Sequence, residues 1–114
     1  MIIIEASFLV PIREDSDVGN GKLHPPERWN YFRDRLFEEF GAYTIAPGNY
    51  LGCYTDPDTQ TLVSDQSRKY ILALPENEVH KLRSFLRKEA AIFRQKVLYI
   101  EIGGKVEFIS LCLS

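Results

Sequence analysis

Apolar and polar positions alternate along the first dozen residues. Ile2, Ile4, Ala6, Phe8, Val10 and Ile12 fall on one side of an extended chain, with Ile3, Glu5, Ser7, Leu9 and Pro11 on the other. One side is wholly apolar and the other mixed, the pattern of a strand packed on helices from one side only. Residues 13–24 are charged and carry Gly19-Asn20-Gly21, which predicts a surface loop. Pro25-Pro26-Glu27 then opens a helix, since proline suits the first turn and an acid there meets the helix dipole favourably. Trp29, Phe32, Leu36, Phe37 and Phe40 recur at helical spacing, and Gly41 stops the helix.

Residues 42–55 are rich in Tyr, Ile and Thr and are interrupted by Pro47-Gly48-Asn49, which predicts a short extended piece, a turn and a strand near 50–54. Asp56-Pro57-Asp58-Thr59 is a turn, because proline presets φ and aspartate bonds back to the backbone. A second strand runs from Thr61 to Leu74, and its polar middle, residues 64–69, reads as an exposed end or a bulge. Pro75 and Asn77 mark the next helix start. Val79, Leu82, Leu86, Ala90 and Phe93 form its apolar stripe, flanked by Phe85 and Ile92. Strands at 97–102 and 105–113 close a hairpin on Gly103-Gly104, a loop suited to a tight primed turn.

This order, β-α-β-β-α-β plus a trailing strand, predicts an α+β fold. It is a ferredoxin-like βαββαβ sandwich, with an antiparallel sheet, two helices on one face and an extra C-terminal strand, in one domain over residues 1–114. Counting outward from the glycines pairs Tyr99 with Phe108 and Leu98 with Ile109. Leu98, Ile100 and Ile102 then face the helices, which leaves Ile3, Leu9, Val97, Tyr99, Val106 and Phe108 on the uncovered side as an expected interface.

Bulk properties narrow the function classes rather than choose one. The chain has 114 residues, 45% apolar and 26% charged, with a formal net charge of −2, so no global charge draws it to nucleic acid or anionic membrane. Its longest apolar runs fall far short of the roughly 20 residues of a membrane span. The start, Met-Ile-Ile-Ile-Glu, has no basic leader, so a cytoplasmic protein is expected, with Cys53 and Cys112 as reduced, partly buried thiols.

Candidate chemistry is sparse. Glu5 and Glu101 are expected as neighbours on the open face near Ser7 and Tyr99; buried together, two acids would raise one pKa and serve acid–base work. Asp65, in the polar part of its strand, is a third acidic candidate, and Tyr43 and Tyr99 are candidate ligand contacts. His24 and His80 have no partner at ligand spacing, and no metal or cofactor is expected; both read as exposed or capping residues. Cys53 reads as packing rather than nucleophile. Gly19-x-Gly21 does not join a strand to a helix and is no nucleotide fingerprint. Lys81, Arg83, Arg87, Lys88, Arg94 and Lys96 cluster on the second helix, but they alternate with its apolar positions as a solvated face does. Nucleic-acid binding is therefore a minor reading.

Four short stretches, Phe40-Gly41-Ala42-Tyr43-Thr44, Tyr50-Leu51-Gly52, Val63-Ser64-Asp65 and Gln95-Lys96-Val97-Leu98-Tyr99, resemble a pattern in small uncharacterised bacterial and phage proteins. The likeness spans about residues 1–109. It departs from the pattern at Ala42, where a second glycine is usual, and at Tyr50-Leu51, where a Gly-Tyr-Trp-like stretch is usual. The resemblance implies the fold and no activity. The resulting expectation leans away from an enzyme, towards a non-catalytic binding or regulatory module that forms a homodimer through its open sheet face, with no small-molecule ligand identified. One alternative is a small enzyme of the dimeric α/β-barrel type, with a pocket between sheet and helices lined by Tyr43, Tyr99, Glu5 and Asp65. The other is a nucleic-acid-binding domain.

Overall fold

The predicted elements form in the predicted order in a computed structural model that describes residues 1–56 and 58–111. Strand β1 (Ile3–Pro11) leads through a long loop to α1 (Pro26–Phe40). A two-residue β2 (Thr44–Ile45), β3 (Tyr50–Thr55) and β4 (Leu62–Pro75) follow. One 3₁₀ turn at Glu76–Glu78 precedes α2 (Val79–Ile92), and β5 (Val97–Ile102) and β6 (Lys105–Ser110) close the chain. The C-terminal strand was expected to reach residue 113, but it ends at Ser110; Cys112 and the rest of that stretch lie outside the described residues, as does Pro57 of the predicted turn.

All six strands join one antiparallel sheet in the order β2-β4-β1-β5-β6, with β3 also paired to β4. This is the ferredoxin-like arrangement with one added edge strand. The last hairpin has the register counted from its glycines, Tyr99 opposite Phe108 and Leu98 opposite Ile109. Gly103 and Gly104 both take positive φ, 57° and 84°, as a primed two-residue turn demands. β4 shows no bulge: its pairing with β1 runs unbroken from Ile3–Pro75 to Pro11–Ser67, so its polar segment is an exposed end.

The even residues of β1 meet the helices. Ala6, Phe8 and Val10 are buried with Tyr70, Leu72 and Leu74 of β4 and with Leu98 and Ile100 of β5. Phe8 stacks on Tyr70 at 5.6 Å and meets Phe32 edge-on at 6.1 Å; Trp29 and Phe93 extend this aromatic centre. Each such side chain contributes about 1.5–3 kcal/mol by leaving water. Phe37, expected in the α1 stripe, is instead 57% exposed. It lies about 100° round the axis from Leu36, beyond the edge of the buried face. Gly41 ends α1 at φ 78° and its N–H donates to the Phe37 carbonyl.

Candidate functional site

The β3–β4 hairpin is longer than the sheet beneath it. Strand pairing with β1 stops at Ser67 and Ile12 N–H still donates to the Gln66 carbonyl, so Leu62–Asp65 pair only with β3 and project as a two-stranded arm. Asp56 closes the arm's tip, its carboxylate accepting the backbone N–H groups of Asp58 (2.8 Å) and Thr59 (3.2 Å). Opposite the arm, the loop after β1 folds back. Its Glu14 N–H donates to the Lys22 carbonyl, its Asp15 N–H donates to the Arg94 carbonyl, and His24 N–H donates to the Ile12 carbonyl. Between the arm, this loop and the chain entering β5 lies a cleft of about 600 Å³.

The cleft is acidic. Glu14, Asp15, Asp17, Asp56, Asp58 and Asp65 line it, against Arg13 and Lys96. Two of those acids are spoken for: Glu14 pairs with Arg28 at 2.9 Å and Arg94 at 3.5 Å, and Asp17 pairs with Lys96. The Arg28 hydrogen bond holds the Glu14 carboxyl below its ordinary range, so this acid stays charged as a fixed piece of the wall. Gln95, almost wholly buried, donates its amide to the Arg13 carbonyl (2.8 Å) and the Phe93 carbonyl (2.9 Å) and so ties the loop to the end of α2.

Asp65 differs from its neighbours. Half-buried and opposite Gly52 in the arm, its carboxylate has no hydrogen-bond or ion-pair partner among the described residues. Burial pushes its pKa up. Gly52 makes room for it, since a Cβ there would stand 3.1 Å from the Asp65 Oδ1. Tyr54, opposite Val63 on the same face of the arm, also lines the cleft. Burial, with the charges of Asp15, Asp65 and Asp56 around it, raises the pKa of the Tyr54 phenol, so its hydroxyl stays protonated as a donor. An unpaired carboxylate, a phenol donor and apolar Leu51, Val63 and Val97 thus share one cleft.

Of the candidate catalytic and ligand-binding residues, only Asp65 lines this cleft, and of the expected interface residues Val97 does. Glu5 is exposed on β1, and Ser7, rather than Glu5, stands opposite Glu101. Tyr99 lies against Phe108 at 5.9 Å, and Tyr43 packs near Tyr70 at 6.2 Å. The enzyme alternative placed its pocket between sheet and helices, whereas no cleft residue belongs to α1 or α2. Cys53 is exposed rather than packed. His80 is exposed, but His24 is buried, with Nε2 donating to the Pro11 carbonyl and Nδ1 accepting from Arg28. Burial lowers the His24 pKa to about 4 and keeps it neutral. On α2 and after it, Lys81, Arg83, Arg94 and Lys96 are paired with Glu39, Glu107, Glu14 and Asp17. Of the six expected interface residues, Ile3, Val97, Val106 and Phe108 are exposed, while Leu9 and Tyr99 are half-buried. Among the described residues no helix is long and apolar enough to cross a membrane.

Sequence reasoning missed Tyr54 and the acids of the loop after β1. The run Glu14-Asp15-Ser16-Asp17 and the Asp56–Asp58 turn were visible as acid-rich punctuation. Nothing in the linear chain said that the two meet.

No family model matches the chain and no curated protein matches it. Among solved structures it is similar to a phage SAM lyase in complex with S-methyl-5′-thioadenosine, at 18% identity and a TM-score of 0.69, over 98% of this chain and 92% of that one. This likeness shows the fold over nearly the whole of both chains. It does not establish the family of small uncharacterised proteins that the four short stretches resemble. It does overturn the expectation of a non-catalytic module, because the protein that shares this architecture is an enzyme holding a small nucleoside.

Proposed function

We propose that the acidic cleft binds a sulfonium nucleoside of the S-adenosylmethionine type and cleaves it as a lyase. The observation that carries this reading is the unpartnered, half-buried Asp65 in a cleft lined by acids, on a fold shared with a SAM lyase. A sulfonium is a permanent cation with apolar surroundings, and an acidic cleft with Leu51, Val63 and Val97 on its walls suits both features. Asp65 serves as its counter-charge and Tyr54 as a hydroxyl donor to the bound molecule. In the reaction the bond between sulfur and the four-carbon amino-acid chain breaks, and its electron pair goes to sulfur. The fragment's own carboxylate oxygen forms a new bond to the carbon that sulfur leaves and closes a lactone, so the charges balance and no water is added. A step in which the sulfonium charge disappears gains from a site that holds few waters around the reacting atoms.

Incubation with S-adenosylmethionine in heavy-oxygen water, followed by mass spectrometry, tests this. The expected products are S-methyl-5′-thioadenosine and a four-carbon fragment without the heavy label. Asp65→Asn should raise the KM for S-adenosylmethionine about tenfold or more while leaving the unfolding midpoint unchanged. Absence of the thioether product with the natural chain would sink the proposal, and label in the fragment would make the reaction a hydrolysis.

A further inference from the structure

A second hollow, of about 310 Å³, opens beside the first and has the opposite charge. Ile12 contributes to both. One wall is the helical line Pro26, Trp29, Asn30 and Arg33 on α1; Arg68 of β4 and Asn49 of the loop before β3 face it. Among the described residues no carboxylate lines it. Neither Arg33 nor Arg68 has an ion-pair partner among the described residues, whereas Arg28, Arg35, Arg83 and Arg94 each have one. The Arg68 guanidinium lies over the Trp29 ring, 4.1 Å from its centroid, a cation–π contact that holds it at this wall. Arg33 donates to the Asn30 side-chain oxygen, which fixes its own plane and turns the Asn30 amide outward as a further donor. Tyr70 is fully buried, and its hydroxyl has no hydrogen-bond partner among the described residues.

Two adjacent, preorganised guanidinium groups without a counter-charge repel one another, and a dianion relieves that repulsion. We infer that this hollow is a binding site for a small phosphate-class oxyanion, gripped by Arg33 and Arg68 with Asn30 and Asn49 as neutral donors. A phosphate dianion matches the two positive charges, as a single carboxylate does not, and planar guanidinium groups bond its oxygens two at a time. The size of the hollow and its two arginines fit the phosphate of a small molecule or the free ion, not a stretch of nucleic-acid backbone.

Trp29 is the only tryptophan of the chain, so its fluorescence reports the Arg68 stack directly. Titration of the full chain with inorganic phosphate at constant ionic strength should give a saturable change. Sulfate should reproduce it and acetate should not. Arg33→Gln should weaken phosphate binding about tenfold or more with an unchanged unfolding midpoint, and Arg33→Lys should restore part of it. A phosphate ester that binds more tightly than free phosphate would assign the site to a phosphorylated small molecule; equal affinity would assign it to the free ion. Two results overturn the inference: a response that sodium chloride matches, or a saturable response that Arg33→Gln leaves intact. The readout needs no turnover, so failure of the lyase proposal would leave it untouched.

Discussion

The two halves of β4 belong to different molecules, as far as their surroundings go. From Tyr70 to Leu74 the strand lies between β1 and the β2 edge, and Tyr70, Leu72 and Leu74 are no more than 2% exposed. From Leu62 to Asp65 it has β3 as its only strand partner, and Leu62 is 75% exposed. The first half obeys the alternation that fills a core. The second spends its positions on Val63, Asp65 and Tyr54's side of the arm, where side chains face a cleft. A single strand thus anchors the fold at one end and carries candidate chemistry at the other, and the two functions can be separated by substitution.

The largest effect should come from the core end. Leu74→Ala removes a fully buried side chain from the core and should cost about 2–5 kcal/mol, because the surrounding side chains cannot close the cavity completely. Urea unfolding with equal slopes would measure it. A loss below about 1 kcal/mol would mean that the packed half is no more structural than the arm.

The difference between the halves explains what was legible from sequence. Ile4 through Val10, the α2 stripe and Gly103-Gly104 each obey one local rule, so strand, helix and turn could be read from the residues themselves. The cleft obeys no local rule: Glu14, Tyr54, Asp65 and Gln95 come from four separate stretches and meet only because β4 runs past the end of β1. Glu5 and Glu101 were ranked with Asp65 because a shared sheet face was within reach of sequence reasoning. Burial of that face was not, and Glu5 stands in solvent. The four stretches of family-like sequence gain a partial physical account. Gly41 is the helix stop, Asp65 lines the cleft and Gln95 ties down the loop after β1.

An intermediate effect should appear as pH falls, and it concerns the hinge between core and cleft. His24 packs edge-on against Trp29 (5.5 Å) and Phe93 (4.8 Å) while its two ring nitrogens bond the Pro11 carbonyl and Arg28. Its native pKa of about 4 lies below the ordinary 6.5, so the unfolded chain takes up a proton that the native state refuses. The stabilisation is complete above pH about 6.5 and is lost progressively down to pH about 4, by up to roughly 3 kcal/mol. Unfolding midpoints measured across that range should slope accordingly, and His24→Gln should flatten the slope. An unchanged slope in the variant would remove His24 from the account and leave the carboxylates to explain the acid sensitivity.

The smallest effect is the most informative about the arm. Leu62→Ala should change stability by less than about 0.5 kcal/mol, since the side chain is mostly in water and the two-stranded arm supports no core. It should also leave turnover of a sulfonium nucleoside near that of the natural chain, because Leu62 does not line the cleft. A loss of 1 kcal/mol or more that fades at low protein concentration would show that a second copy of this chain covers the arm. In that event the cleft wall that carries Tyr54 and Asp65 would be held in place by the neighbouring copy, and the separation of a structural half from a chemical half would hold within one chain but not in the assembly.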